Sequence, residues 1–384
     1  MSPSGSLEWL AELVAWPSLS GRPNRQRVEW LGDYLAGLGA GLRVIPGEAD
    51  RLNLLASFGS GDGGPLIGGH LDVVPAEPAH WQSDPFTLTP RGERLYGRGT
   101  SDMKGFVANM LAIAPALAHA QRDRPVHLLL TTDEELGCVG MRHVAASLAR
   151  SGPRPDWVLI GEPTGLDIAT AHKGKVAFEV SVAGEAGHSS DPRSGCNAID
   201  AAARLISRLG DLAEDLRREP PAPGDWGYPW TSIQVGTVEG GEALNVIPAQ
   251  CRFGCEIRFL PGADIDGLIG RMYDEAAALQ RPGAQAGGAV GIDWQALTHY
   301  PPARVGPTSA ALRWLRACLP DAVEMQADYG AEAGVLQSAL GVDALVCGPG
   351  CISRAHRPDE FITRAELAAG EAALRRILQA PATA

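Results

Sequence analysis

Residues 97–105 of the 384-residue chain read Gly97-Arg98-Gly99-Thr100-Ser101-Asp102-Met103-Lys104-Gly105. The glycines predict a tight, irregular connection, because glycine adopts backbone conformations that other residues avoid. Apolar side chains that recur every three or four residues then predict a helix from Lys104 to about Ala118. Asp102 is therefore expected on a glycine-rich loop at the N-terminus of a helix.

Apolar runs on both sides of this loop end in residues that can bind metals. Open α/β sheets carry their ligands at the carboxyl ends of strands, so these residues are expected to meet at one edge of a sheet. Adjacent Glu134 and Glu135 also repel one another unless a cation is near. Taken alone, each residue also fits a surface hydrogen bond, a turn or a solvated strand end. Together they predict a two-metal site bridged by Asp102. They are His70 and Asp72 after the run Pro65–Ile67, Asp133, Glu134 and Glu135 after Val126–Leu130, Glu162 after Trp157–Ile160, and His356 after a glycine turn.

The order of predicted elements favours an α/β fold. Up to residue 174, helices alternate with apolar strands, which is typical of a mainly parallel sheet covered on both faces, a three-layer arrangement. From Lys175 the strands alternate apolar and polar residues, and strand–helix–strand–strand–helix indicates a smaller α+β, ferredoxin-like insert. From Gly291 the parallel pattern is predicted to resume. The predicted domains are therefore one domain formed by 1–174 and 291–384, and a second formed by 175–290.

Composition narrows the possible partners. The length suggests two domains, and 45% hydrophobic with 20% charged residues is typical of a globular protein. A net charge of −12 without a basic run makes nucleic acid an unexpected partner. No apolar stretch approaches the roughly 20 residues of a membrane span. The N-terminus lacks a basic and apolar leader pattern, so a cytoplasmic location is expected. Seven cysteines, an odd number, favour reduced thiols.

Several motifs resemble those of the dizinc deacylase/metallopeptidase family, which includes acetylornithine deacetylase, succinyl-diaminopimelate desuccinylase, aminoacylase and glutamate carboxypeptidase. The resemblance covers nearly the whole chain. Three further motifs are similar to the acetylornithine deacetylase branch. The family motifs are Gly68-Gly69-His70-Leu71-Asp72-Val73-Val74-Pro75, Gly97–Gly105, Thr132-Asp133-Glu134-Glu135 and Gly161-Glu162-Pro163-Thr164, and the branch motifs are Ala171–Gly174, Gly187–Pro192 and Ala355–Glu360.

The resemblance implies a role for each site residue. Asp102 would bridge two ions, of which one is also held by His70 and Glu162 and the other by Glu135 and His356. Imidazole and carboxylate ligands without thiolate suit zinc or cobalt. Glu134 would be the general acid and base, and Asp72 would orient His70. The Asp102–Met103 peptide is expected to be cis.

The resemblance also implies roles for residues of the inserted domain, which would act as a lid and form a homodimer. His188 would donate to the oxyanion at the partner subunit's metals. Arg258 would bind a substrate carboxylate, because a guanidinium fork matches that group. Asn245 would lie near the reacting amide. A glutamate at Glu162 goes with substrates that carry a free α-carboxylate and a blocked amine.

The implied reaction is hydrolysis of a small N-acyl amino acid, first of all conversion of N2-acetylornithine to ornithine and acetate in arginine biosynthesis. Alternatives within the class are N-acetylcitrulline deacetylase, succinyl-diaminopimelate desuccinylase, and a broad aminoacylase or carboxypeptidase. Other classes are a serine acyl hydrolase using Ser101 or Ser189, although no Gly-x-Ser-x-Gly motif is present, and an inactive relative kept for binding. Ala331 and Cys351 stand where relatives often carry Thr and Ser, which leaves the acyl amino acid open.

Overall fold

The computed structural model describes residues 3–120, 124–280 and 290–379. The chain divides into two units, which we treat separately. Unit 1 comprises Met1–His172 and Pro302–Ala384, and unit 2 comprises Lys173–Pro301. Within the described residues, no helix has both the length and the apolar character needed to cross a membrane.

The elements are numbered in chain order. The helices are α1 (Ser6–Val14), α2 (Arg25–Gly37), α3 (Lys104–His119), α4 (Val139–Ser151), α5 (Ala198–Arg218), α6 (Ile265–Gln280), α7 (Ala310–Cys318), α8 (Ala333–Leu340) and α9 (Arg364–Gln379). The strands are β1 (Gly41–Pro46), β2 (Leu52–Phe58), β3 (Pro65–His70), β4 (Thr89–Arg91), β5 (Arg94–Tyr96), β6 (Val126–Thr131), β7 (Trp157–Ile160), β8 (Ile168–His172), β9 (Gly174–Ala183), β10 (Gly187–His188), β11 (Ser232–Gly240), β12 (Val246–Ile247), β13 (Gln250–Phe259), β14 (Gly291–Tyr300), β15 (Ala303–Arg304), β16 (Glu324–Ala327), β17 (Asp343–Val346) and β18 (Phe361–Thr363).

Unit 1 is built on one large sheet with strand order β1-β2-β6-β3-β7-β17-β8-β15, and β16 pairs with β8. The central strands β6, β3, β7 and β17 are parallel. Ile67 and Leu128 belong to the core that contains α3, whereas their chain neighbours Leu66 and Leu129 point to the other face and are equally buried. Helices therefore cover both faces, and the predicted three-layer α/β class is confirmed.

Helix α3, which directly follows the Asp102 loop, is hydrogen-bonded at its first turn to the end of helix α1. The helix lies where the three- and four-residue spacing predicted it, and its residues from Lys104 to Ala114 are all buried. At its first turn, the Lys104 ammonium donates 2.8 Å hydrogen bonds to the carbonyls of Leu13 and Trp16. These carbonyls lie at and just after the end of α1, and each also accepts one main-chain N–H, from Trp16 and from Ser18. Burial lowers the pKa of Lys104 to about 7. The start of α3 is thus fixed to the end of α1.

The segment Val73–Arg98 contains two short strands, β4 and β5. Strand β5 pairs with β4 on one side and with β18 on the other, in antiparallel orientation. Three-residue strands carry too little periodicity to be recognised in a sequence. The pairing of β5 with β18 brings the chain that precedes the Asp102 loop next to the chain that follows His356.

Unit 2 contains an antiparallel sheet of order β11-β13-β9-β14. The buried residues of β9 alternate as predicted, and they share a core with helices α5 and α6. Strand β14, which was expected to return to the parallel sheet, instead pairs antiparallel with β9. The predicted boundary at residue 290 therefore precedes the observed division at Pro301. The final part of the predicted insert, residues 281–289, lies outside the described residues.

The chain leaves and re-enters unit 1 at neighbouring positions. His172, the last residue of β8, is paired in register with Ala303, the first residue of β15. The 129-residue stretch between Lys173 and Pro301 therefore starts and ends at one hairpin of the large sheet.

Candidate metal centre

Adjacent parallel strands bring the predicted ligands to one edge of the large sheet. Strand β3 ends at His70, β6 ends shortly before Glu134 and Glu135, and β7 ends before Glu162. Since β3 lies between β6 and β7, its imidazole is flanked by carboxylates from both neighbours. Asp102 comes from the loop before α3, and the Asp102–Met103 peptide is cis, as expected.

The ligand atoms form two groups of three that share Asp102. His70 Nε2 lies 3.2 Å from Asp102 Oδ1 and 3.9 Å from Glu162 Oε1. His356 Nε2 lies 3.5 Å from Asp102 Oδ2 and 3.0 Å from Glu135 Oε1. The two oxygens of Asp102 thus face different groups, which is the arrangement that a bridging carboxylate requires. A third group, of His70, Glu134 and Glu135, shows that distance alone does not separate a ligand from a base.

The electrostatics of the site fit divalent cations. Burial, and then the charge of Asp102, raise the pKa of Glu162 well above its usual value. Burial also opposes ionisation of Asp102, but hydrogen bonds from His356 and His70 outweigh it and hold its pKa well below the usual range. Hydrogen bonds to Asp102 and Glu135 raise the pKa of His356 to about 10. A divalent cation would compete with protons for the ligand atoms of Glu162 and His356, whereas Asp102 already favours the charged form that binds metal.

Asp72 contacts His70 at the end of β3 and the residues that follow β6, but its carboxylate does not make the expected hydrogen bond with His70. His70 Nδ1 lies 2.8 Å from the main-chain oxygen of Asp72 and 3.7 Å from its carboxylate. The Asp72 carboxylate instead accepts the main-chain N–H groups of Glu134 and Glu135, at 3.1 and 3.3 Å, and the Ser20 hydroxyl at 2.8 Å. The main chain of Asp72 orients His70, and its side chain orients Glu134 and Glu135.

Two buried carboxyl groups near the site were missed in the sequence. Glu332 is fully buried, accepts a 2.8 Å hydrogen bond from the Thr131 hydroxyl, and has its pKa raised by burial to about 7. Glu360 is 1% exposed and contacts the Asp102 loop. The signal for Glu360 is its place at the end of the motif Ala355–Glu360, four residues after His356. Nothing in the sequence distinguishes Glu332 from a surface glutamate.

Unit 2 brings together two of its three predicted residues. His188 on β10 pairs with Val246 on β12, and the Ser189 main-chain N–H donates to the Asn245 carbonyl at 3.2 Å. His188 and Asn245 are both exposed. Arg258 lies at the far end of β13, where it donates to Glu256 and to the Tyr300 hydroxyl, both at 3.1 Å.

The alternative nucleophiles find little support. The Ser101 hydroxyl is buried, donates to the Cys351 carbonyl and accepts the Cys351 N–H, so it is committed to the main chain. The hydroxyl that contacts His188 Nδ1, at 2.8 Å, belongs to Ser190, not to Ser189. Ala331 is fully buried, and the Cys351 thiol lies 3.0 Å from the Ser353 hydroxyl.

The chain matches the model of Peptidase family M20/M25/M40 over residues 66–380, and it belongs to this family of hydrolases. Among curated proteins, it is 35% identical to the acetylornithine deacetylase of Proteus mirabilis over 94% of this chain and 92% of that one. It is 36% identical to the acetylornithine deacetylase of Photorhabdus laumondii over 93% and 92%. Among solved structures, an M20 family metallo-carboxypeptidase from Sulfolobus solfataricus superimposes with a TM-score of 0.81, covering 99% of both chains at 20% identity.

Proposed function

We propose that this protein is a metal-dependent amide hydrolase that converts N2-acetylornithine to ornithine and acetate in arginine biosynthesis. The observation that carries the proposal is the pair of ligand groups that share Asp102, with the partly buried Glu134 beside them. The curated acetylornithine deacetylases, similar over nearly the full length of both chains, point to this substrate among those of the family.

The donor set suits two zinc or cobalt ions, since it offers imidazole and carboxylate without thiolate. His70, Asp102 and Glu162 would hold one ion, and Asp102, Glu135 and His356 the other. When bound, such a pair supplies Lewis-acid chemistry to the reacting amide and to water.

Glu134 is the proposed proton carrier. Its side chain is partly shielded, and burial together with the charge of Glu135 raises its pKa well above the usual value, despite the opposing charge of His70. A carboxylate with a raised pKa can accept a proton from the attacking water and then give it to the leaving amine. The Asp72 carboxylate fixes the main chain from which Glu134 projects.

The residues of unit 2 are proposed to bind the substrate from two subunits. Arg258 would bind the α-carboxylate, whereas His188 and Asn245 would contact the amide. Strand β13 is extended from Gln250 to Arg258, so its ends are roughly 25 Å apart at about 3.3 Å per residue. Gln250 pairs with Ala183, and the β10–β12 pair continues from that end.

This separation is much longer than an acetylated amino acid. The separation therefore favours binding of one substrate molecule by Arg258 and His188 from different chains. We propose that the protein is a cytoplasmic homodimer formed through unit 2, in which His188 and Asn245 serve the partner's site and Arg258 its own.

The substrate test is an acid-release assay with zinc or cobalt supplied. The compounds are N2-acetylornithine, N-acetylcitrulline, N-succinyl-diaminopimelate and other N-acetyl amino acids. The proposal expects the highest kcat/KM for N2-acetylornithine and loss of turnover in excess chelator, restored by the metal. A higher kcat/KM for another compound would reassign the substrate. A protein that binds two ions but hydrolyses none of these compounds would instead be an inactive relative kept for binding.

A further inference from the structure

Glu360 is a buried carboxylate on which the N–H groups of the Asp102 loop converge. Its Oε2 accepts hydrogen bonds from Arg98 Nη1 at 2.8 Å and from the Gly99 main chain at 3.0 Å. Its Oε1 accepts the main-chain N–H of Ser101 at 2.9 Å and that of Asp102 at 3.0 Å. Both oxygens are thus satisfied by two donors each, one of which is the amide of the predicted bridging ligand itself.

The loop conformation explains this convergence. Gly99 has φ +84°, a backbone conformation that glycine adopts without strain. Successive N–H groups of such a turn point inward and form a concave site for an anion. Here the anion is a side chain of the protein, and its charge is balanced by Arg98. A buried carboxylate without these partners would be strongly unfavourable, so the loop and Glu360 depend on each other.

Glu360 also joins the loop to the segment that carries His356. Strands β5 and β18 are paired up to Tyr96 and Phe361, and the next N–H, of Gly97, donates to the Glu360 carbonyl at 3.0 Å. The segments bearing Asp102 and His356 therefore leave the same antiparallel pair.

Two further contacts link the same segments. Arg98 Nη1 donates to the Arg357 carbonyl at 3.2 Å, and the Ser101 hydroxyl bonds with the main chain of Cys351 at 3.1 and 3.0 Å. Glu360 lies between these contacts and the strand pair, at the point where both segments are anchored.

We propose that Glu360 is a positioning residue that sets the spacing between Asp102 and His356, and with it the affinity of the ion position formed by Asp102, Glu135 and His356. This inference rests on the proposed metal site. His356 is on a loop, has φ 60°, and its side chain is 53% exposed, so its position depends on this anchor. His70 ends strand β3 of the large sheet and Glu162 closely follows strand β7, so neither needs the anchor to the same extent.

The test is Glu360→Gln in the full chain. Glutamine has the same shape, but its amide NH₂ must face one of the two donor pairs. In protein stripped of metal by chelation, the amides of residues 99, 101 and 102 should exchange their hydrogens about tenfold faster. In calorimetric titrations with zinc or cobalt alone, the ion position that includes the exposed His356 is expected to be the weaker of the two. This weaker ion should lose about 10- to 100-fold in affinity, the range typical of residues that orient ligands, and the tighter ion, held by His70, Asp102 and Glu162, should lose less.

Glu366→Gln is the matched control. Glu366 Oε2 accepts hydrogen bonds from Arg354 at 2.7 Å and from the Thr363 N–H and hydroxyl, both at 2.8 Å. A glutamine oxygen can keep all three contacts at that one position, so this variant removes a nearby carboxylate charge without breaking the contacts. These partners are separate from the Asp102 loop. Hydrogen exchange at residues 99–102 and both ion affinities should stay at wild-type values. Equal losses in the control and in Glu360→Gln would overturn the proposal.

Glu360→Asp keeps the charge but is too short to reach both donor pairs, and it provides the test if Glu360→Gln fails to fold. An intermediate loss of affinity for the weaker ion supports the proposal, and wild-type exchange with wild-type affinity overturns it. The titration of the wild-type protein tests the proposed metal site separately, because binding of fewer than two ions would refute that site. Hydrogen exchange on metal-free protein would still test whether Glu360 holds the Asp102 loop.

Discussion

Glu134 and Glu135 are neighbours in the chain, but their side chains have different partners. Glu135 Oε1 lies 3.0 Å from His356 Nε2, within the second ligand group, whereas Glu134 Oε1 lies 3.5 Å from the Cys138 thiol. We therefore expect Glu134→Gln to keep two ions per chain and lose turnover by at least about 10²-fold, the scale of a lost general base. Glu135→Gln should release an ion. Metal analysis and steady-state kinetics on both variants make the comparison, and identical behaviour would contradict the division of roles.

At the scale of single residues, titration of Glu332 makes the free energy of unfolding depend on pH. Its pKa rises from 4.5 to about 7 on folding, so its contribution to the free energy of unfolding is present in full below pH 4.5 and lost as pH rises through about 7. Glu332→Gln removes this dependence. The unfolding free energy of the variant relative to wild type should rise by up to about 3 kcal/mol from pH 4.5 to 8, at about 1.4 kcal/mol for each pKa unit.

Denaturant titrations of metal-free protein at several pH values measure this difference. In the control Glu366→Gln, the carboxyl has a lowered pKa and is ionised in both states above pH 5, so the difference should change little there. A flat difference for Glu332→Gln would show that this carboxyl does not titrate as described.

At the scale of elements, helix α3 packs closely against Gly161, the residue that follows strand β7. A Cβ on Gly161 would lie 2.0 Å from the ring of Phe106, which is buried on α3. Gly161→Ala should therefore displace Glu162 or α3 and cost about 1–3 kcal/mol, as overpacking does. The measurement is the free energy of unfolding, together with the number of bound ions.

Gly210→Ala is the paired substitution. Gly210 lies in helix α5, and nothing comes within 4 Å of an added Cβ. Alanine there should stabilise the protein by about 0.5–1 kcal/mol, because glycine is a poor helix former. If Gly161→Ala is as stable as Gly210→Ala, the close packing of β7 against α3 is wrong.

Long, regular elements of this fold could be predicted from the sequence, and short or edge elements could not. Helix α3 and strand β7 were located to within a residue because their apolar positions repeat with a clear period. Strand β14 was assigned to the wrong sheet, since strand pairing depends on residues distant in the chain. Most of the metal ligands could be proposed from the sequence because they stand at predicted strand ends. The contacts of Asp72 and Glu360 could not be predicted, because they are made with main-chain N–H groups, which every residue type except proline has.

At the scale of the whole molecule, the distance along β13 between Arg258 and the His188 end makes a testable case for shared active sites. Heterodimers that pair a Glu134→Gln chain with a His188→Ala chain can be purified with two different tags. If His188 acts in the partner's site, one site of each heterodimer carries both defects and the other carries none. An isologous dimer should then recover about half of the wild-type activity.

The two variant homodimers, each nearly inactive, are the controls for this experiment. If His188 acts within its own chain, each site of the heterodimer keeps one defect and no activity returns. Absence of recovery in purified heterodimers would thus reject sharing of active sites.

The pairing of His172 with Ala303 has a consequence for the history of the gene. A short turn in place of residues 173–301 would close a hairpin between β8 and β15 without altering the register of the large sheet. Recombination can therefore replace or lengthen this stretch as a cassette. All five predicted ligands lie outside the cassette, while Arg258, His188 and Asn245 lie within it. On the proposed substrate-binding roles of Arg258, His188 and Asn245, exchange of this one segment would change the substrate range while the predicted ligands stay the same.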